Sequence, residues 1–228
     1  MLVDARLLLA GAQATRRRVA QAARATTTFT IGFMPGLTVT AAARALATAH
    51  PDVAVEVLRT DWTNQVTVLL DGRADIGYVR LPIDMTELST ALLFTEPHVA
   101  VLPAAHPLTS RDTLSIHDLA GEYLLQNPDT IPEWNAVKQS GRQRRALQRP
   151  ARSVEEKLEW VAGGRGFSIL PQSVATYYQR PDIAWVLLTD VSPNEVRLAW
   201  VTARRSRLID EVIDLAHSGG VQSALTEQ

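Results

Sequence analysis

Arg80 closes the segment DGRADIGYVRLP, residues 71–82. A guanidinium offers a planar fork of N–H donors that matches a carboxylate through two parallel hydrogen bonds. The short apolar run before it, Ala74 to Val79, reads as a strand buried in a parallel sheet, where apolar residues run on without alternating. An arginine at its end has two readings. Either the chain returns to water there and pairs with Asp84 or Glu87, or the guanidinium meets an anionic ligand. A second anion-competent stretch is Met34-Pro35-Gly36-Leu37-Thr38, with Thr40 just beyond, at the passage from an expected strand into an expected helix. Such a passage presents backbone N–H groups and the positive end of a helix dipole, and the threonine hydroxyls add donors. The plainer reading is that Pro35 and Gly36 make the turn and the threonines are solvated. Trp62, after Thr60-Asp61, suits either stacking on a planar ligand or anchoring a lobe, and Asp61 reads as an N-cap. Asn127 and Thr130, at the end of a strand in the second half of the chain, are polar clamp candidates or solvated loop.

Catalysis has no visible machinery, so the reading is of a protein that is not an enzyme. Cysteine is absent, which excludes disulfides, thiolate metal sites and a catalytic thiol. The five histidines, His50, His98, His106, His117 and His217, have no metal-ligand spacing, and no metal or cofactor is expected. No nucleophile elbow is present. Gly163-Gly164-Arg165-Gly166 invites a phosphate-loop reading, but it follows a helix and opens a strand, the reverse of a dinucleotide loop. A helix C-cap at Gly163 or Gly164 is the better account. Arginines 16–18 and Arg142, Arg144, Arg145, Arg149 and Arg152 form basic clusters without interleaved aromatics, and they read as solvated faces.

These candidates need elements to position them. Residues 3–25, rich in Ala, Leu, Arg and Gln, read as a helix with a thin apolar stripe. A strand-helix rhythm follows: a strand at 29–33, a helix opened by Pro35 and closed near His50-Pro51, a strand at 53–58, a helix over WTNQVTVLLDG closed by Gly72, and a strand over ADIGYV. This alternation predicts βαβ units and a parallel sheet. After the strand at 98–103 and a polar loop, a second rhythm runs through a strand at 122–126, a helix over PEWNAVKQSG, and a helix with Ser153 as N-cap and Glu156 completing a capping box. A strand at 166–171, a helix over PQSVATYYQR, strands over IAWVLL and VRLAWVTA, and a final amphipathic helix with Gly219 past its end complete it. Two α/β lobes in series are expected, with ligands outside the carboxyl ends of the strands.

The chain has 228 residues, 46% of them hydrophobic, enough for one large domain or two modest lobes. A formal net charge of −1 gives no field that draws the chain to nucleic acid or an anionic membrane. No apolar run approaches a membrane span, and the N-terminal segment makes a poor export signal. A cytoplasmic location is expected.

The succession IGFMPGLT, HPDVAVEV, LLDGRADIGYVR, AVLPAAHPL, IHDLAGEYLL, LEWVAGGRGFSILP and VRLAWV resembles the effector-binding domain of LysR-type transcriptional regulators, over about residues 3–217. GYVRLPI is most similar to regulators of aromatic-compound catabolism that sense benzoate- or muconate-like acids. The resemblance implies an α/β, two-lobed, periplasmic-binding-protein-like domain of type 2 preceded by a linker helix. Residues 1–27 would be the remnant of that linker and dimerisation helix, and 28–220 the effector domain, with lobe I at 28–103 plus 203–220 and lobe II at 104–202. It further implies a small-molecule effector between the lobes, contacts at the Met34–Thr38 turn, Phe167 and Ser168 lining the second lobe's side, with Phe167 reading equally as core, and a homodimer or homotetramer. DNA would be read only through a winged helix-turn-helix domain missing from this chain, which is expected to be a piece of a longer regulator. A free-standing solute-binding protein of the same fold is the main alternative, and a small α/β enzyme the other.

Overall fold

The computed structural model describes residues 27–137 and 153–218, with the isolated positions 12 and 151. The expected linker helix, the basic clusters and the Gly219 cap therefore lie outside the described residues. In chain order the elements are β1 (Thr27–Phe33), α1 (Thr40–Ala49), β2 (Val53–Arg59), α2 (Thr67–Leu70), β3 (Ile76–Arg80), β4 (Leu88–Glu96) and β5 (His98–Pro103). They continue with β6 (Thr113–Leu114), α3 (Val154–Ala162), β7 (Ser168–Pro171), α4 (Gln172–Tyr177), β8 (Ile183–Leu188), β9 (Asn194–Val201) and α5 (Arg207–Ser218). Short 3₁₀ turns fill several connections. The chain divides into two compact units, one running to Phe94 and resuming at Glu195, the other spanning Thr95–Asn194. The crossings fall earlier than the expected 103/104 and 202/203. The pairing explains this: β5 bonds only to β7 and β8 of the second unit, whereas β9 pairs with β3 of the first.

Unit 1 is built on a five-stranded sheet in the order β2-β1-β3-β9-β4. β1 pairs in parallel with β2 and β3, as a βαβ chain must, but β9 runs antiparallel to β3. The parallel sheet expected from the rhythm is thus a mixed one, because a strand from far down the chain enters beside β3. β3 is buried at every residue. Ile76 and Tyr78 join a core with Ile31, Leu198, Val212 and Leu46 on one face, while Val79 meets Val68, Leu69 and Ala199 on the other. Burial on both faces is why its sequence does not alternate.

Unit 2 has a four-stranded sheet in the order β6-β8-β5-β7. β5 is antiparallel to both neighbours, and β6 pairs in parallel with the end of β8. Along β5, Val99 and Val101 face α3 and α4 residues Leu158, Val161 and Val174, while Ala100 and Leu102 face Leu119, Trp134 and Phe167. This is the two-residue alternation of a strand with helices or turns on both sides.

Several local readings change. Pro35 does not open α1, which starts at Thr40; it sits in a tight turn instead. Of WTNQVTVLLDG only Thr67–Leu70 is α-helical, because Asp61 Oδ1 holds the Thr63 backbone N–H at 2.7 Å and folds the chain into a side-chain-closed turn first. Residues 122–126 contribute a single bridge, Leu124 to Phe167, rather than a strand. Pro132–Ala136 is a 3₁₀ turn, and the remainder of the helix expected over PEWNAVKQSG, from residue 138 on, lies outside the described residues. Arg180 falls outside α4, consistent with the proline after it.

Candidate functional site

The carboxyl ends of three adjacent strands, β2, β1 and β3, lie side by side in unit 1, and each carries part of the candidate site. β1 ends at Phe33 and passes into Met34-Pro35-Gly36-Leu37. The Leu37 N–H donates to the Met34 carbonyl at 3.1 Å, and Gly36 has φ 79°. Proline second and a left-handed glycine third is the signature of a type II turn. Met34 and Leu37 point into the unit 1 core, Pro35 is buried, and Thr38 and Thr40 are exposed. The turn thus offers its backbone and Thr38, while the two large apolar side chains hold it down.

β2 ends at Arg59, and Thr60 folds back on β1: its N–H and hydroxyl both donate to the Phe33 carbonyl, at 2.8 and 3.1 Å. Trp62 follows in the Asp61 turn with 43% of its surface exposed, so it is not a core residue of its unit.

β3 ends at Arg80, which is completely buried. That rules out the surface arginine of the plainer reading, and the Asp84 carboxylate takes the Thr86 N–H and hydroxyl instead. One guanidinium nitrogen reaches the Pro35 carbonyl at 3.4 Å, which ties the strand end to the turn after β1. The Arg80 main chain is held by Gln65, a buried residue that carries no local signal in its sequence neighbourhood. Gln65 Oε1 accepts from the Arg80 N–H at 3.0 Å and its Nε2 donates to the Arg80 carbonyl at 3.1 Å. An amide side chain here continues the ladder where no strand is present. Two residues earlier, burial pushes the Tyr78 phenol up to about 12, so it stays neutral.

In unit 2 the candidates form a hydrogen-bonded chain. The Ser168 hydroxyl, fully buried, donates to Gln126 Oε1 at 2.7 Å, and the Ile169 N–H donates to the same oxygen at 3.1 Å. Gln126 Nε2 donates to Thr130 Oγ1 at 3.3 Å, which donates to the Asn127 carbonyl at 2.7 Å. Asn127 caps the short turn after it through the Asp129 N–H, and both Asn127 and Thr130 are exposed. Phe167 lies in the core against Trp134, ring centroids 5.3 Å apart. Gln126, like Gln65, escapes sequence reasoning; it reveals itself only through partners far away in the chain. Gly164, with φ 66°, closes α3 in a Schellman motif, with Gly164 N–H bonded to Val161 and Arg165 N–H to Trp160. The glycine run is therefore a helix stop.

Among the described residues no cluster of side chains suits a metal ion, and no helix is long and apolar enough to cross a membrane. A buried guanidinium, a tight turn and the exposed Thr38 thus lie at the carboxyl ends of neighbouring strands.

The LysR substrate binding domain family matches residues 22–220. The chain belongs to that family. As a LysR effector-binding domain it has the two-lobed, type 2 periplasmic-binding-protein-like α/β fold, shared at TM-score 0.71 with the effector binding domain of a BenM variant, at 23% identity over 88% of this chain and 97% of that one. The BenM domain with its effector benzoate matches at TM-score 0.67, again at 23% identity, over 88% of this chain and 95% of that one. In sequence, the domain is 31% identical over 173 residues to the transcriptional regulator CatR of Pseudomonas putida, covering 72% of this chain and 59% of that protein. It is 25% identical over 173 residues to the regulator BudR of Raoultella terrigena, covering 73% and 59%. The chain thus spans a little over half the length of these regulators.

Proposed function

We propose that this LysR domain senses a small organic acid of the benzoate or muconate class, and that Arg80 is the group that grips its carboxylate. The single observation that carries this reading is the burial of Arg80 at the C-terminal end of β3, beside the type II turn of β1. Strand ends are where open α/β sheets bind ligands, and the planar fork of a guanidinium held there suits a carboxylate. The BenM domain with its effector benzoate, similar in fold, supports the acid class. Within unit 1, Gly36 and Thr38 offer N–H and hydroxyl donors, Met34, Pro35 and Leu37 an apolar bed, and Trp62 an exposed ring for a planar body. Unit 2 offers Ser168, Thr130 and Asn127 as polar contacts, with Phe167 supporting them from the core.

The chain is the sensing portion of a cytoplasmic transcription factor that assembles as a dimer or tetramer and reads DNA through a winged helix-turn-helix outside this chain. Its curated relatives are regulators, which favours this reading over a free-standing solute-binding protein. Only an effector that binds two states of the regulator unequally can switch it.

A thermal-shift panel of aromatic acids, muconate-like diacids, amino acids and sugars tests the class. An acid at 100 times its Kd adds about 2.7 kcal/mol, or roughly 5–10 °C for a chain of this size. A shift with sugars or amino acids and none with the acids overturns the assignment.

A further inference from the structure

Unit 2 contains a cavity of about 340 Å³ that the strand-end candidates do not touch. This is at the low end of the roughly 300–1,000 Å³ range typical of small-molecule sites. Val101 of β5, Leu158 of α3 and Ile183 of β8 give it an apolar floor, and Tyr178 and Trp185 add two aromatic rings. Trp185 keeps 37% of its surface exposed, unusual for an indole in the middle of a sheet strand.

Among the described residues, the groups bonded to the lining of this cavity are mostly acidic. Its lining cation, Arg180, is already gripped from two directions: Nε and Nη2 donate to the two carboxylate oxygens of Asp182 at 3.0 and 2.7 Å, and Nη1 donates to Glu159 at 2.5 Å. The Tyr178 hydroxyl donates to Glu155 at 2.8 Å. Among the described residues, three carboxylates thus bond directly to lining residues, alongside the one guanidinium of Arg180. Glu155 and Glu159 lie one helical turn apart on α3, on either side of Leu158, so the helix sets both acids at the same rim. An incoming anion would face the carboxylates of Glu155, Glu159 and Asp182, and a neutral apolar body would leave them unused. A cation with an apolar body satisfies both, since aromatic faces attract ammonium groups as well as apolar ones.

We propose that this cavity binds a small organic cation, an amine or quaternary ammonium with a body of benzyl size, seated against Trp185 and Tyr178 and balanced by Glu155, Glu159 and Asp182. It is a second site, separate in its residues and opposite in charge preference from the acid site at Arg80.

Isothermal titration of the whole chain with benzyltrimethylammonium tests it, with benzyl alcohol as the neutral comparison. Saturable binding of the ammonium, at least several-fold tighter than the alcohol, is expected. Trp185→Ala should weaken it about 3- to 30-fold, the range for a lost cation–π contact, while Trp185→Phe retains most of it. Glu155→Gln and Glu159→Gln, at exposed positions that leave the fold intact, should each weaken it and flatten its salt dependence. Arg80→Met should leave it unchanged. No saturable heat with folded protein, equal affinity for benzyl alcohol, indifference to both glutamate variants, or loss in Arg80→Met each overturns the proposal. The last result would place the ammonium at the acid site, so the two readings fail separately.

Discussion

Gln65 and Arg80 show how much of the site depends on one side chain holding another's backbone. Gln65 satisfies both the N–H and the C=O of Arg80, which pairs with Val196 of β9 but lies beyond the end of the β1 pairing. Gln65→Leu keeps the volume and removes both bonds, so it should cost on the order of 1–3 kcal/mol in chemical denaturation and weaken acid binding as well. Gln65→Glu, which keeps the acceptor for the Arg80 N–H and loses the donor, should fall between. Lys157 offers a second residue-scale test. Burial pulls its ammonium down to about 8 from 10.5. A lysine whose folded value is depressed binds fewer protons in the native state than in the unfolded one, so its penalty is fully present below pH 8 and fades as pH rises toward 10.5. Lys157→Met should therefore be more stable than the parent at pH 7, by on the order of 1–3 kcal/mol, and the advantage should shrink between pH 8 and 10.5. An advantage that does not change with pH would assign the effect to packing. As a candidate, Arg80 stands out in the sequence because a charge at the end of a continuous apolar run is conspicuous. Gln65 and Gln126 were not, because a polar residue that bonds across 15 or more than 40 positions looks like any surface amide.

At the scale of elements, Gly166 marks where β7 is brought against residues 123–125. Its φ is 148°, and a Cβ there would sit 2.1 Å from the Tyr123 carbonyl oxygen. Gly166→Ala should cost several kcal/mol by overpacking and backbone strain together, read as a lowered midpoint in urea. Gly121, which has open space around it, is the matched control and should change little on substitution by alanine. Most strands of the rhythm were readable from β-branched and aromatic runs between turn residues. β4 was not. Leu88-Ser-Thr-Ala-Leu-Leu-Phe-Thr-Glu neither alternates nor keeps a helical period, because it is an edge strand with an irregular burial pattern. The helix expected over residues 62–72 shrinks to α2 because apolar spacing there competes with the Asp61 turn and with β-branched Thr and Val residues that resist helix.

For the whole molecule, two α/β lobes in series were legible but both crossings were placed too late, since strand pairing decides to which unit β5 and β9 belong. The mixed direction of the unit 1 sheet was equally invisible, because no local signal tells a strand which neighbour awaits it. With a net charge of −1, the chain should give no shift of operator-length DNA at about 150 mM salt, where non-specific binding depends on many basic contacts. A gel shift at nanomolar protein would contradict the proposed sensing role of this chain. The proposed grip of Arg80 on a carboxylate is tested by calorimetric titration of the acid that stabilises the protein best, against its neutral amide and against Arg80→Met. The amide should bind at least tenfold more weakly than the acid to the parent chain, and Arg80→Met, folded by circular dichroism, should lose this preference. Equal affinity for acid and amide, or an acid preference that survives in Arg80→Met, would contradict it.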